Sequence, residues 1–125
     1  MKLRVARHTA NLKPIIHFYR DILGLKVLGR FENHNGYNGV FLGLKGAAWH
    51  LEFTTSAEAP RHQPDEDDLL VFYVNSREEY ALLKQKFAEN GIHPISAKNP
   101  YWNENGICYL DPDGYGIIIA VSGIY

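Results

Sequence analysis

Arg4, His8, His50 and Glu52 are the residues of this sequence whose types and spacing suggest chemistry. They lie in two segments, "LRVARH" and "AWHLEFTT", in which apolar and polar residues alternate as they do along a strand. Alternate side chains of a strand share one face, so His8 shares a face with Arg4 and His50 shares one with Glu52. Two imidazoles and a carboxylate can hold Fe(II) or Zn²⁺. His8, however, lies about 13 Å beyond Arg4 along an extended strand. A His8, His50 and Glu52 metal site therefore needs marked sheet curvature, and without it His8 is a polar cavity-lining side chain. The remaining histidines, His17 on a helix and His34, His62 and His93 on loops or element ends, read as exposed residues, and no HxH, HExxH or CxxC spacing occurs. Cys108 sits among Ile107, Tyr109 and Leu110 with no basic neighbour in the sequence to activate it, and reads as a core residue.

The elements that must position these residues follow from periodicity. After the first strand, Leu12, Ile15, Ile16, Tyr19, Ile22 and Leu23 recur at helical spacing, with Asn11 as N-cap, Pro14 in the first turn and Gly24 past the end. "LKVLGRF", "YNGVFLGL" and "AWHLEFTT" follow as strands separated by "ENHNG" and "KGA" turns. Residues 1–55 thus read as βαβββ, and the proline-rich, charged residues 56–67 as an exposed connection. The pattern then repeats over residues 68–125: strand "LLVFYV", a helix opened by Ser76 and Glu79 and carrying Tyr80, Leu83 and Phe87, then strands "IHPISA", "NGICYLD" and "YGIIIAV". The last strand enters through Asp111, Pro112, Asp113 and Gly114, residue types suited to a tight turn. Two copies of a unit that cannot bury both its helix and its sheet alone predict one α+β domain with a pseudo-twofold repeat and a shared cavity.

Composition narrows the function. The chain has 125 residues, 46% of them hydrophobic, with 13 basic against 14 acidic side chains. The near-zero balance gives no electrostatic reason to bind nucleic acid or an anionic membrane surface. One cysteine excludes an internal disulfide and suits a reducing compartment, and "MKLRVARHTANL" lacks the apolar run of a signal peptide, so the expected location is the cytoplasm.

The strand followed by "HFYRDILGLKVL", a polar-tipped hairpin, "HLEF" and the closing "DPDGYGIII" resembles the vicinal oxygen chelate superfamily, which contains glyoxalase I, bleomycin-resistance proteins and extradiol dioxygenases. The resemblance covers essentially the whole chain and is nearest to small proteins of glyoxalase/bleomycin-resistance type. It implies tandem βαβββ modules, the glyoxalase/bleomycin resistance/dihydroxybiphenyl dioxygenase fold, whose curled mixed sheets enclose a cavity, in a homodimer. It also implies where metal ligands would fall: on Arg4 and Glu52 in the first module, and on Leu69 and Ile118 in the second. Only Glu52 can coordinate an ion there, since arginine is permanently cationic and the two aliphatic residues offer no donor.

If Arg4 and Glu52 are neighbours, they form an ion pair in place of the ion. Such a pair is either structural, or a device in which Arg4 binds a ligand carboxylate or phosphate and Glu52 orients it. Val71, Ile118 and Ala120 read as an apolar wall beside them, Tyr73 and Trp102 as ligand-facing aromatics, Tyr101 and Trp102 as rings that close over a ligand, and the loop "FENHNGYNG" with Tyr37 at its tip as a lid. The expected function is metal-free binding of a small anionic or aromatic molecule by Arg4, His8, His50, Glu52, Tyr73 and Trp102. The alternative is a lyase, isomerase or dioxygenase with iron, zinc, nickel or manganese on His8, His50 and Glu52, or with Glu52 as a metal-free general base. A third reading is an interaction module with a vestigial, filled cavity.

Overall fold

In the computed structural model, which describes residues 1–122, the chain divides into two units, Met1–His62 and Gln63 onward. The first unit contains strand β1 (Leu3–His8), helix α1 (Leu12–Ile16), which widens into a π-helical turn (His17–Ile22), and strands β2 (Lys26–His34), β3 (Tyr37–Gly43) and β4 (Trp49–Thr55). Asn11 caps α1 by accepting a hydrogen bond from the Lys13 N–H at 3.0 Å. The helix ends where Gly24 takes φ +94°, a conformation that costs glycine little, and the Leu25 N–H turns back to the Tyr19 carbonyl at 2.9 Å.

The sheet runs β1-β4-β3-β2, with β1 parallel to β4 and the other pairs antiparallel. Because strand side chains alternate, Val40, Leu42, Leu51 and Phe53 form the buried face, and the helix covers it with Ile15, Phe18, Tyr19 and Ile22. The Tyr19 and Phe53 rings lie 5.0 Å apart. The opposite face of β1, β3 and β4 is left to carry Arg4, Phe41, His50 and Glu52.

The second unit has β5 (Leu69–Val74), α2 (Arg77–Glu89), α3 (Pro100–Asn105), β6 (Ile107–Leu110) and β7 (Gly116–Val121) in a sheet of order β5-β7-β6. Ser76 accepts from the Glu79 N–H at 3.1 Å, and the Glu79 carboxylate accepts from the Asn75 N–H at 3.0 Å, so the predicted helix start is capped from both sides. Phe87 of α2 is fully buried and stacks on Tyr109 of β6 with ring centroids 4.0 Å apart. At the β6–β7 turn the Asp111 carboxylate accepts from the N–H groups of Asp113 and Tyr115 at 2.9 and 3.0 Å.

One predicted strand is corrected. "IHPISA" makes a single bridge, Ile95 to Cys108, instead of a strand. Pro94 has no N–H to give to a ladder, and the side chain of Asn103 captures both the N–H and the carbonyl of Ala97, at 2.8 and 2.9 Å. The residues that follow, which carry Tyr101 and Trp102 ahead of the next strand, form α3. Its N-cap is Asn99, and Pro100 sits in the first turn, where its missing N–H costs nothing. Among the described residues no helix is long and apolar enough to cross a membrane.

Candidate functional site

Parallel pairing of β1 with β4 sets Arg4 opposite His50 and Ala6 opposite Glu52, while β3 brings Phe41 opposite Glu52 and Gly43 opposite His50. Four side chains thereby converge. The Arg4 Nε–H donates to Nε2 of His50 at 2.8 Å, and the Arg4 guanidinium carbon lies 4.6 Å from the centre of the Phe41 ring. Phe41 and His50 meet edge to face at 5.9 Å, and Phe41 continues to Phe31 at 5.8 Å. Arg4 Nη1 stands 3.7 Å from Glu52 Oε2, an ion pair too long to be a hydrogen bond.

This row of rings depends on missing β-carbons. A Cβ at Gly39 would overlap the Phe31 ring, and one at Gly43 would come within 3.1 Å of both His50 Cβ and Leu28 Cδ1. With the rings seated, Arg4 is gripped at Nε and along one face. The Arg4 side chain nevertheless stays 50% exposed, against 16% for Glu52.

The hydrogen bond also settles the tautomer of His50. An arginine Nε always carries hydrogen, so Nε2 of His50 is the acceptor and its hydrogen is on Nδ1. That nitrogen is buried without a hydrogen-bond partner. An orphaned donor costs roughly 1–3 kcal/mol, so this geometry is held against a local penalty.

The other expected site residues fall elsewhere. His8, opposite Thr54, has its Nε2 3.0 Å from the Ser56 hydroxyl and its ring 6.2 Å from that of Tyr37. It is not brought to His50 and Glu52, because β1 and β4 stay in residue-for-residue register and preserve the separation read from the sequence. Among the described residues no group of three or more His, Cys, Asp or Glu side chains is arranged to hold a metal ion.

In the second unit, Leu69 and Ile118 stand where Arg4 and Glu52 stand in the first. Val71, two residues after Leu69, pairs with Ile118 as Ala6 pairs with Glu52. Leu69, Val71 and Trp102 pack against a buried cluster of Ala97, Cys108, Ile118 and Ala120. The four positions together offer one carboxylate oxygen donor, so they do not fit a four-ligand ion. Trp102 packs on this cluster with Tyr101 edge-on at 4.8 Å, and Tyr73 lies on β5 opposite Ala120 with 41% of its surface exposed. Burial raises the Cys108 thiol above its ordinary pKa, which suits the predicted inert core residue.

Sequence reading missed two features. The stacking of Arg4 on Phe41 joins residues 37 positions apart in the chain, beyond any periodicity signal. A hollow of about 240 Å³ lined by Arg77, Tyr80, Glu104, Asn105 and Val121 draws Glu104 and Asn105 from α3, a helix that no apolar periodicity marks.

Two mixed units in succession, each pairing its first strand in parallel with its last, have the architecture of the vicinal oxygen chelate superfamily. The crystal structure of YycE from Bacillus subtilis, a protein of unknown function assigned to the glyoxalase/fosfomycin resistance type, superposes with a TM-score of 0.86 at 42% identity, covering 98% of this chain and 93% of that one. The curated YycE sequence from the same organism is 43% identical over 124 residues, 97% of this chain and 88% of that protein. The same fold occurs in trypanothione-dependent glyoxalase I from Leishmania major (TM-score 0.75, 23% identity, 97% and 86% of the two chains). It also occurs in TnmS3, an antibiotic-binding protein from Streptomyces sp. CB03234 (TM-score 0.67, 19% identity, 97% and 94%). Residues 3–54 match the YycE-like N-terminal domain and residues 67–120 the YycE-like C-terminal domain. The chain belongs to the YycE-like family of this superfamily.

Proposed function

We propose that this protein captures a small anionic or aromatic organic molecule at the Arg4 cluster, without a metal ion. The observation that carries the reading is the state of Arg4: its Nε is held by His50, one face is backed by Phe41, and half of its side-chain surface stays exposed. A guanidinium fixed in this way has lost much of its side-chain freedom before a ligand arrives, so less entropy is spent on binding. Phe41 and Phe31 extend the same surface as an aromatic strip suited to a flat apolar group.

Glu52 faces the Arg4 cation at 3.7 Å and completes a cluster of one cation and one anion around the open strand face. The antibiotic-binding relative provides a precedent for the fold in a binding role. The reading includes a cytoplasmic homodimer.

The test is calorimetric titration of wild type and Arg4→Met with a panel of aromatic and aliphatic carboxylates and phosphate monoesters. Binding by wild type and its loss in a folded Arg4→Met protein are expected. Equal binding by both, or stoichiometric metal in the purified protein that is lost in Glu52→Ala, would overturn the reading.

A further inference from the structure

We infer that the ligand of the Arg4 cluster is a carboxylate whose α-carbon bears a hydrogen-bond donor, a 2-hydroxy or 2-amino acid. This rests on the reading of Arg4 as an anion-binding residue and adds a specific role for Glu52.

The inference comes from the gap between the two charges. Among the described residues the polar contact of the Glu52 carboxylate is the ion pair with Arg4, and at 3.7 Å no hydrogen bond closes it. Both groups are reachable by solvent, yet Glu52 is only 16% exposed and cannot swing freely into water. The pair is thus a fixed donor and a fixed acceptor with unused capacity on each.

A carboxylate alone satisfies half of this site. It would accept from the Arg4 Nη groups, but its charge would face Glu52 at short range, and like charges at that distance repel. A donor next to the carboxylate reverses the sign of that contact. The ligand's acid group then accepts from Arg4 while its hydroxyl or ammonium donates to Glu52, each bond spanning about 2.7–2.9 Å. With the protein corners 3.7 Å apart, the four-cornered arrangement closes only when the ligand's acceptor and donor sit on the same or adjacent carbons.

His50 fixes the geometry of this recognition. Because Nε of Arg4 is occupied, the side-on edge of the guanidinium is closed, and the ligand must meet the Nη end that also faces Glu52. The site as a whole is close to neutral, so a 2-amino acid zwitterion matches it charge for charge, and a 2-hydroxy acid matches it in hydrogen bonds alone.

Phenylacetate, mandelate and phenylglycine share one frame and differ only in the group on the α-carbon, so they serve as probes. Calorimetry of the full chain should give mandelate or phenylglycine at least about tenfold tighter binding than phenylacetate, the size of one hydrogen bond to a charged group. The preference should vanish in Glu52→Ala and persist in part in Glu52→Gln, while Arg4→Met should lose all three probes. Equal affinity of wild type for the three would overturn the inference and leave the anion-binding reading standing. Failure of all three, or a preference unchanged in Glu52→Ala, would also overturn it; the panel of carboxylates and phosphates above then decides separately whether Arg4 binds anions at all.

Discussion

The two units share a strand plan and differ in what fills one face of it. In the first unit, Arg4 leans over His50 on the neighbouring strand, and Glu52 stands two residues farther along. In the second, Leu69 leans over Gly116, where a Cβ would collide with the Leu69 side chain, and Ile118 occupies the place of Glu52 with no exposed surface. The same backbone thus supports a half-open polar cluster in one copy and a closed apolar patch in the other. The deciding feature is whether the last strand offers a side chain to hold the first-strand residue up, as His50 does, or a glycine on which it can lie down.

The largest expected effect comes from forcing the second unit to resemble the first. Ile118→Glu buries an uncompensated carboxylate and should cost about 3–5 kcal/mol, read by urea denaturation followed by circular dichroism. The reverse change, Glu52→Ile, breaks a partly solvated pair and should cost no more than about 1 kcal/mol. Equal costs would mean that the two positions are equally buried in solution. Next in size, Gly39→Ala drives a methyl group into the Phe31 ring and should lose about 1–3 kcal/mol, with a change in near-ultraviolet dichroism from the displaced aromatics. An unshifted spectrum would show that the ring row tolerates the extra carbon.

His50→Leu sharpens the comparison from the other side. It removes both the acceptor for Arg4 and the orphaned Nδ1–H, so the two stability effects oppose each other and the net change should stay within about 1 kcal/mol. Carboxylate affinity should nevertheless fall in proportion as Arg4 loses its fixed pose, which calorimetry measures.

The smallest effect is on pH dependence and belongs to the second unit. Burial raises the Cys108 thiol and the Tyr109 hydroxyl, so the folded state holds these protons more tightly than the unfolded chain does. Their contribution is complete below the ordinary thiol and phenol values and is lost as the pH rises through the raised ones. Denaturation midpoints should therefore decline on the alkaline side, and Cys108→Ala should flatten the beginning of that decline. An identical slope in the variant would remove the thiol from the account.

Much of the strand plan was legible because it rests on local signals. Alternation marked the strands of the first unit, and Asn11 and Ser76 cap where capping chemistry placed them. The error at residues 92–97 has the same origin. "IHPISA" has enough β-branched and apolar residues to look like a strand, but Asn103 bonding back to Ala97 is a tertiary decision that periodicity does not register. Asn99 followed by Pro100 is the local signature of the helix start that the structure has there. At the candidate site, alternation put Arg4, His50 and Glu52 on consistent faces, yet it could not say that His50 would serve Arg4 as acceptor instead of serving an ion as ligand. That depends on register between strands, and β1 and β4 are joined by no turn that would announce it.

Strands that pair without a connecting turn must also find each other during synthesis. In each unit the first strand made waits for the last, β1 for β4 and β5 for β7. The Arg4–His50 contact closes a loop of 46 residues and cannot form until β4 has emerged from the ribosome. Until then β1 travels as an unpaired edge bearing Leu3 and Val5, residues that keep 59% and 40% of their surface exposed even in the finished fold. A chain stalled before Trp49 would present that edge without its covering strand, which makes the nascent first unit a point of vulnerability to aggregation.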